Sequence, residues 1–445
     1  MSYDMTRGDI TSGLMKFALP LMVGNLLQQV YNIADTLIVG RYLGEYALAA
    51  VGSSYTLMVF LTSVLLGLCM GSGAFYSIQY GAGEQERLKR GIFLSFVGIG
   101  GLTVLLTVFS FLGIHGILWF MRVPDGIQEF MKEYLICIFW GIPAVFIYNF
   151  IASLLRSVGN SLTPLIFLGI SALLNVGLDL IFILVFRWGV AGAASATVLA
   201  QYVAAAGIFI CYFKKCPMLR VERVHMRWDG GILKEISSLS VLTCLQQSVM
   251  NFGILMVQGL VNSFGTVVMA AFAAAVKIDS FAYSPVQDFG NAFSTYVAQN
   301  YGAGKRERIW QGMKKAVFLV FLFCVCISLL INLFAGRLMS LFIDAEKTEI
   351  LSVGIGYLRV EASCYFGIGL LFLFYGFYRG IKLPQMSLIL TVLSLGSRVL
   401  LAYLLSAVPQ IGVTGIWLAV PIGWGLADLA GGGYYLYRKR RYSKT

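Results

Sequence analysis

The feature that most constrains this chain is a succession of apolar segments, each long enough to cross a bilayer. A spanning helix needs about 20 predominantly apolar residues. Segments of that kind fall near 14–40, 46–78, 91–115, 130–156, 161–186 and 189–213, then near 231–262, 266–300, 311–335, 352–379, 384–406 and 411–437. Together they fill nearly the whole sequence and leave no stretch for a large soluble domain. Only 12% of the residues are charged, about half the share of an ordinary soluble domain, and mean hydropathy is +0.81. These values argue against a soluble α-protein with an unusually apolar core. The expected class is an all-α integral membrane protein of twelve transmembrane helices. Met1–Phe17 carries Asp4, Arg7, Asp9 and Lys16 and runs straight into the first span, without the pattern of a removable signal peptide.

The formal net charge of +12 would suit nucleic acid in a soluble protein. In a membrane protein it reads instead as a basic excess in cytoplasmic loops. With both termini inside, 24 of the 33 Lys and Arg residues fall in inside segments, Lys444 among them. Seven fall outside, including Arg122, and Lys277 and Arg398 lie within spans. The split fits the positive-inside rule and an even number of spans. Eight cysteines, mostly within spans, form no CxxC pair and no Cys/His cluster, which argues against a disulfide framework or a metal centre.

The chain repeats itself. Gly13-Leu-Met-Lys16 returns as Gly231-Ile-Leu-Lys234, Leu27-Gln28-Gln29 as Leu245-Gln246-Gln247, and Tyr80-Gly-Ala-Gly83 as Tyr301-Gly-Ala-Gly304. Tyr134-Leu135 matches Tyr357-Leu358, Arg156 matches Arg379, and Gly189-Val190 matches Gly412-Val413, with the offset held between 218 and 223 throughout. Six spans return the chain to its starting side, so the two repeats run parallel. The expected organisation is a six-helix bundle over 1–213, a charged cytoplasmic linker over 214–230 and a second bundle over 231–445. A central cleft with substrate sites near the midplane is a transporter architecture.

Ionisable groups inside a bilayer need a partner, a proton or a wet cavity. In the first span Asn25, Gln28, Asn32 and Asp35, spaced 3, 4 and 3, share one helical face. In the fifth, Ser171, Asn175 and Asp179 recur at i, i+4 and i+8. Asp35 and Asp179 both fall near mid-bilayer in the same half, where two carboxylates cannot both stay ionised cheaply. With oxygen from Asn175 and Thr197, such a group suits a proton or Na⁺, and the residues alone do not choose between them. The plainer reading is a packing stripe that hydrogen-bonds neighbouring helices.

The second half differs. Its counterpart of the first span has Gln247, Asn251 and Gln258 but no acid. The eighth span carries Lys277, Ser280, Ser284, Asp288 and Asn291 along one face, with Asp279 on nearly the opposite side from Lys277. The eleventh carries Ser387, Thr391, Ser394 and Arg398. These charges read either as a salt-bridge network that fixes packing or as the lining of a substrate pathway. Asp428 is a further acid within a span, and Glu361 is expected near the outer end of the tenth. Pro20, in the first span fifteen residues before Asp35, removes an amide donor and can kink that helix. A minority of the abundant Phe, Tyr and Met side chains lining a cleft would suit flat, hydrophobic cations.

At this point the chain resembles the multidrug and toxic compound extrusion (MATE) transporters, and the look is that of a bacterial branch. The resemblance covers essentially the whole chain. It rests on Pro20-Leu-Met, on Asp35 with Gly40-Arg-Tyr-Leu-Gly44, and on the repeated Tyr-Gly-Ala-Gly turns. It rests also on Asn175-Val-Gly-Leu-Asp179, Gly189-Val-Ala-Gly-Ala-Ala194 and Gly412-Val-Thr-Gly-Ile-Trp417. It implies export of cationic or amphipathic compounds driven by re-entry of H⁺ or Na⁺, and a cation site to which Asp35, Asn175, Asp179 and Thr197 correspond. It implies that Pro20 is where the first span bends as that site changes state. Some members carry acids in spans 7 and 10 that bind Na⁺. Here span 7 has none, which argues against a second-half Na⁺ site.

The expected function is a cation-coupled antiporter working by alternating access in a bacterial plasma membrane. It acts as a monomer on a small-molecule substrate among membrane lipids, without nucleic acid and with no cofactor beyond H⁺ or Na⁺. Asp35, Asn175, Asp179 and Thr197 couple the cation. Gln28, Asn32, Lys277, Asp279, Asp288 and Arg398 line the substrate pathway, and Pro20 is the hinge. The alternative is a flippase for a lipid-linked or large anionic substrate, with Lys277 and Arg398 as headgroup contacts. The acidic first half argues against it, and a lipid-scrambling assay beside dye efflux separates the two. An intramembrane enzyme is disfavoured because no HExxH motif occurs, while His115 and His225 lie at a span end and in the linker. A ligand-gated channel is disfavoured by the twelve-span repeat.

Overall fold

Backbone amides and carbonyls in hydrocarbon must be satisfied within the segment, which leaves helices as the solution for an apolar chain of this kind. The computed structural model describes residues 3–120, 123, 125–344 and 346–442, and all regular structure among them is helical. Arg122 and Lys444 of the loop-charge argument lie outside the described residues. In chain order the helices of the first half are α1 (Ile10–Leu43), α2 (Glu45–Ala82), α3 (Gln85–Leu112), the short α4 (Ile114–Phe120), α5 (Asp125–Phe139), α6 (Ile142–Ser157), α7 (Leu162–Leu180) and α8 (Gly189–Lys215). The second half holds α9 (Gly230–Asn262), α10 (Thr266–Gly302), α11 (Arg306–Met339), α12 (Thr348–Ala362), α13 (Tyr365–Gly380), α14 (Pro384–Ser406) and α15 (Val413–Tyr442).

Ten of these helices are long and apolar enough to span, and the pairs α5–α6 and α12–α13 complete twelve as spans bent by 45° and 51°. Both bent spans fall at the same place in the repeat. Pro143 opens α6 just after the first bend. The repeated glycine motifs explain themselves at the backbone. Gly83 and Gly304, which end the two Tyr-Gly-Ala-Gly turns, have φ of +75° and +68°, and Gly189 and Gly412 have +60° and +52°. Only glycine adopts that region without strain. Lipid-facing surface is apolar in turn: Leu112, Leu173 and Leu333 are each at least 75% exposed.

By packing, the chain forms two units, Met1–Asp4 with Leu19–Cys244 and Met5–Ala18 with Leu245–Thr445. The opening turns of α1 therefore belong to the second unit and the opening turns of α9 to the first. In the first unit α2 packs on α5 and α6, and α8 on α5, α6 and α7, around a core that includes Phe75, Tyr76, Phe139 and Leu155. Ser72 and Ser240 share a hydrogen bond of 2.9 Å between α2 and α9. The linker is docked, not free. Leu219 and His225 are buried, Tyr212 Oη donates to the Leu219 carbonyl at 2.7 Å, and His225 Nε2 lies 3.2 Å from Glu86 Oε1 at the start of α3.

In the second unit α10 packs along α13 and α14 along α15. Residues 5–9 are anchored there. Asn300 Nδ2 and Lys305 Nζ donate to the carbonyls of Met5 and Thr6 at 3.1 and 2.8 Å, and Lys315 pairs with Asp9 at 3.1 Å. The Ser12 amide, which donates to Asp9 Oδ2 at 2.8 Å, and then that ammonium hold the Asp9 carboxyl below the usual carboxylate range. The closest approach of α10 and α13 runs through Gly290 and Gly376: a Cβ on Gly376 would stand 2.3 Å from the Gly290 carbonyl oxygen. Backbone faces backbone there, so nothing can rotate away. Gly376→Ala should cost about 1–3 kcal/mol of stability as an overpacked core does, read as a lowered unfolding midpoint of the purified protein. An unchanged midpoint would contradict that packing.

Candidate functional site

In the first unit α7 and α8 lie side by side and bring Asn175, Asp179 and Thr197 together, each less than a tenth exposed, with Asp179 fully buried. Asn175 and Asp179 stand one turn apart on α7. The Asn175 amide ties the two helices together: it donates to Asp179 Oδ2 at 3.1 Å and accepts from Thr197 Oγ1 and the Thr197 amide at 3.0 and 3.2 Å.

Half-buried Asp35 on α1 completes the group. Its carboxyl lies within interaction reach of that of Asp179. Each also has an Oδ1 that is buried without a hydrogen-bond partner. Two carboxyls, one amide oxygen and one hydroxyl thus converge, a donor set that suits a proton shared between carboxyls or a hard cation held by oxygen. Three tyrosines gather here: Tyr31 and Tyr134 lie within electrostatic reach of the pair, and Tyr55 within reach of both of them. They escaped the sequence reading, although Tyr31 precedes Asp35 by one turn and Tyr134 belongs to the repeat. The helix after Asp179 widens into a π turn, Ile181–Val185, a feature that often marks functional sites.

The remaining first-half residues lie along α1. Asn32 Nδ2 donates to Tyr55 Oη at 3.4 Å, and Gln28 is exposed. Pro20 lies within α1 two residues past Ala18, where the helix passes from the second unit to the first.

The second unit holds its own acid pair. Asp279 on α10 and Glu361 on α12 are both buried. Tyr365 Oη donates to Asp279 Oδ1 at 2.5 Å, and Tyr357 is within hydrogen-bonding reach of both acids. Arg398 on α14 stands within electrostatic reach of both acids but makes no ion pair with either, and its Nε is buried without a partner. Glu361 belongs to the span expected over 352–379. The span opens four residues earlier, at Thr348, and Glu361 falls at the bend between α12 and α13. Lys277 is exposed, facing away from buried Asp279. Asp288, half-buried, lies farther along α10 beyond Pro285.

The repeat relates the two clusters. Tyr134 and Tyr357, which match in sequence, each face the acid pair of their own unit. At the offset of 223 that separates Gly189 from Gly412, Asn175 corresponds to Arg398 and Asp179 to Ala402. The second half therefore places a guanidinium where the first has an amide, and a methyl where the first has a carboxyl.

A twelve-span helical protein in two repeated halves, with carboxyl pairs inside the spans, has the build of a secondary transporter. The family model MatE matches residues 20–181 and 240–404, so the chain belongs to the MATE family. A Bacillus subtilis (strain 168) protein named probable multidrug resistance protein YpnP is 30% identical over 446 residues, covering 100% of this chain and 98% of that one. Probable multidrug resistance protein NorM of Thermotoga maritima is 27% identical, covering 93% of this chain and 89% of its own. Among solved structures, an outward-facing MATE family multidrug resistance transporter of the MOP superfamily is 25% identical with a TM-score of 0.91, covering 99% of this chain and 98% of that one.

The Tyr365–Asp279 contact has a measurable consequence. Tyr365→Phe deletes the donor and leaves a buried carboxyl oxygen unpartnered, which should cost about 1–3 kcal/mol. In an Asp279→Asn background the same change should cost less, and the difference measured by thermal unfolding is the coupling between the two groups. Equal costs in both backgrounds would show that the hydroxyl does not support the acid.

Proposed function

We propose that this chain is an H⁺- or Na⁺-coupled antiporter that exports small amphipathic or cationic compounds by alternating access across a bacterial plasma membrane, with both termini cytoplasmic. The observation that carries the reading is the meeting of Asp35, Asp179, Asn175 and Thr197 in one buried group with unpartnered carboxyl oxygens. An intramembrane carboxyl costs about 2.5–3.5 kcal/mol or more, and two together cost more still unless a cation joins them. The cation thus changes the energy of having Asp35 on α1 beside Asp179 on α7. That difference is what shifts a two-state equilibrium.

Pro20 lies where α1 leaves one unit for the other and lacks the amide that would close the helical turn there. In this reading it is the hinge through which the cation's effect on Asp35 becomes a movement of α1. Gln28, Asn32, Lys277, Asp279, Asp288 and Arg398 line the substrate pathway. The multidrug names of the YpnP and NorM relatives support small organic compounds as the exported class.

In inverted vesicles with H⁺ and Na⁺ gradients imposed separately, wild-type protein should export a cationic dye under one gradient. Asp35→Asn should abolish that export while the purified variant keeps the wild-type unfolding midpoint. Thr197→Val identifies the ion. It removes one oxygen ligand, so it should raise the Na⁺ concentration for half-maximal efflux about tenfold if the ion is Na⁺, a loss of about 1.4 kcal/mol, and leave H⁺-driven efflux nearly unchanged. Undiminished gradient-driven efflux by Asp35→Asn would sink the proposal.

A further inference from the structure

Asp428 on α15, like Asp288 on α10, is an intramembrane acid that neither carboxyl pair uses. Its Oδ1 is buried without a hydrogen-bond partner, and its interactions include neither a cationic side chain nor a donor. Asp279, by contrast, has Tyr365 against it and Arg398 within reach. Asp428 faces a place where α13 carries no side chain: its Oδ2 stands 3.6 Å from where a Cβ on Gly367 would be. Trp424, one turn earlier on α15 and buried, borders the same spot, with its Cβ 3.4 Å from that position. Tyr375 of α13 lies within electrostatic reach of Asp428.

The repeat shows what the fold itself requires here. At the offset of 223 the first half has Ala205 for Asp428, Gln201 for Trp424, Ala152 for Tyr375 and Ala144 for Gly367. Ala144, Ala152 and Ala205 are all buried. The same helix plan is thus packed in the first half with methyl groups, so neither the carboxyl nor the two aromatics is needed to build it. Four departures from the repeat converge on one spot and do three things: they remove a Cβ, add a carboxyl and add two aromatic rings.

We infer that Asp428, with Trp424 and Tyr375, forms a subsite in the second half for the positively charged end of an organic cation. A carboxylate beside aromatic faces matches an alkylated or aromatic ammonium, which gains from ion pairing and cation–π contact together. A bare metal ion is a poorer match because it needs several oxygens. The Thr391 hydroxyl, within reach of Tyr375, already donates to the Ser387 carbonyl at 2.9 Å. This inference rests on the reading of the protein as an exporter of cationic compounds.

The test is equilibrium binding of ethidium, a planar aromatic cation, and of uncharged phenanthridine, to purified protein at fixed pH, beside ethidium efflux in vesicles. Asp428→Asn and Asp428→Ala, the latter the residue of the first half, should weaken ethidium binding by about tenfold or more. Asp428→Glu should restore most of it, phenanthridine binding should change little, and Trp424→Gln should weaken ethidium by a smaller factor. The inference is overturned if Asp428→Asn binds ethidium as wild type does, if both ligands weaken equally, or if the variant changes only the pH dependence of efflux. If wild-type protein neither binds nor exports ethidium and other organic cations, the exporter reading itself fails. If it does both and Asp428→Asn matches it, only the subsite fails.

Discussion

The rest of this structure depends on one constraint: hydrocarbon offers the backbone no hydrogen-bond partner. Each span must close its own ladder, so the polypeptide spends its main-chain polarity internally. Whatever polarity remains inside the bilayer sits on side chains. Asp35, Asn175, Asp179 and Thr197 stand out for that reason, and so do Asp279, Glu361, Arg398 and Asp428. In a soluble core the same residues would be ordinary satisfied polar groups. In spans whose outer faces are leucine and valine, each represents a cost that the fold did not require.

Much of the fold was legible in the sequence because length and apolarity decide it. The twelve spans follow from hydropathy alone, and the repeat follows from motifs such as Tyr-Gly-Ala-Gly, whose last glycine has a positive φ in both halves. The exchange of opening turns between the units was not legible. Residues 10–18 and 19–43 form one helix with one apolar character, and nothing local records that they pack in different units. The docked linker was hidden for a similar reason. It reads as a charged linker, yet its attachment depends on Leu219, His225 and one distant acid, Glu86.

The first carboxyl pair was readable because the stripes on α1 and α7 have helical spacing, and a polar stripe in an apolar helix must look inward. The pairing of Asp279 with Glu361 was less readable. They lie 82 residues apart, on helices without matching stripes, and Glu361 sits at the break between α12 and α13. The tyrosines around each pair were missed because tyrosine in a membrane protein is usually an interfacial residue. Their clearest signal was the repeat itself, which sets Tyr134 against Tyr357 before any geometry is known.

The two halves also serve as an internal control. Where both keep a residue, the shared helix plan is a sufficient reason for it: the glycines at 192 and 415, the serines at 171 and 394, and the arginines at 156 and 379. The last pair closes the final turns of α6 and α13, where a cation complements the helix dipole. Where the halves diverge at buried positions, packing cannot be the reason, because one half packs without the group. Asn175 and Asp179 against Arg398 and Ala402 is such a divergence, and Asp428 against Ala205 is another. The first sets a guanidinium within electrostatic reach of Asp279 and Glu361 where the other half has an amide. One half therefore has a carboxyl pair beside an amide and a hydroxyl, while in the other a guanidinium stands within electrostatic reach of the pair.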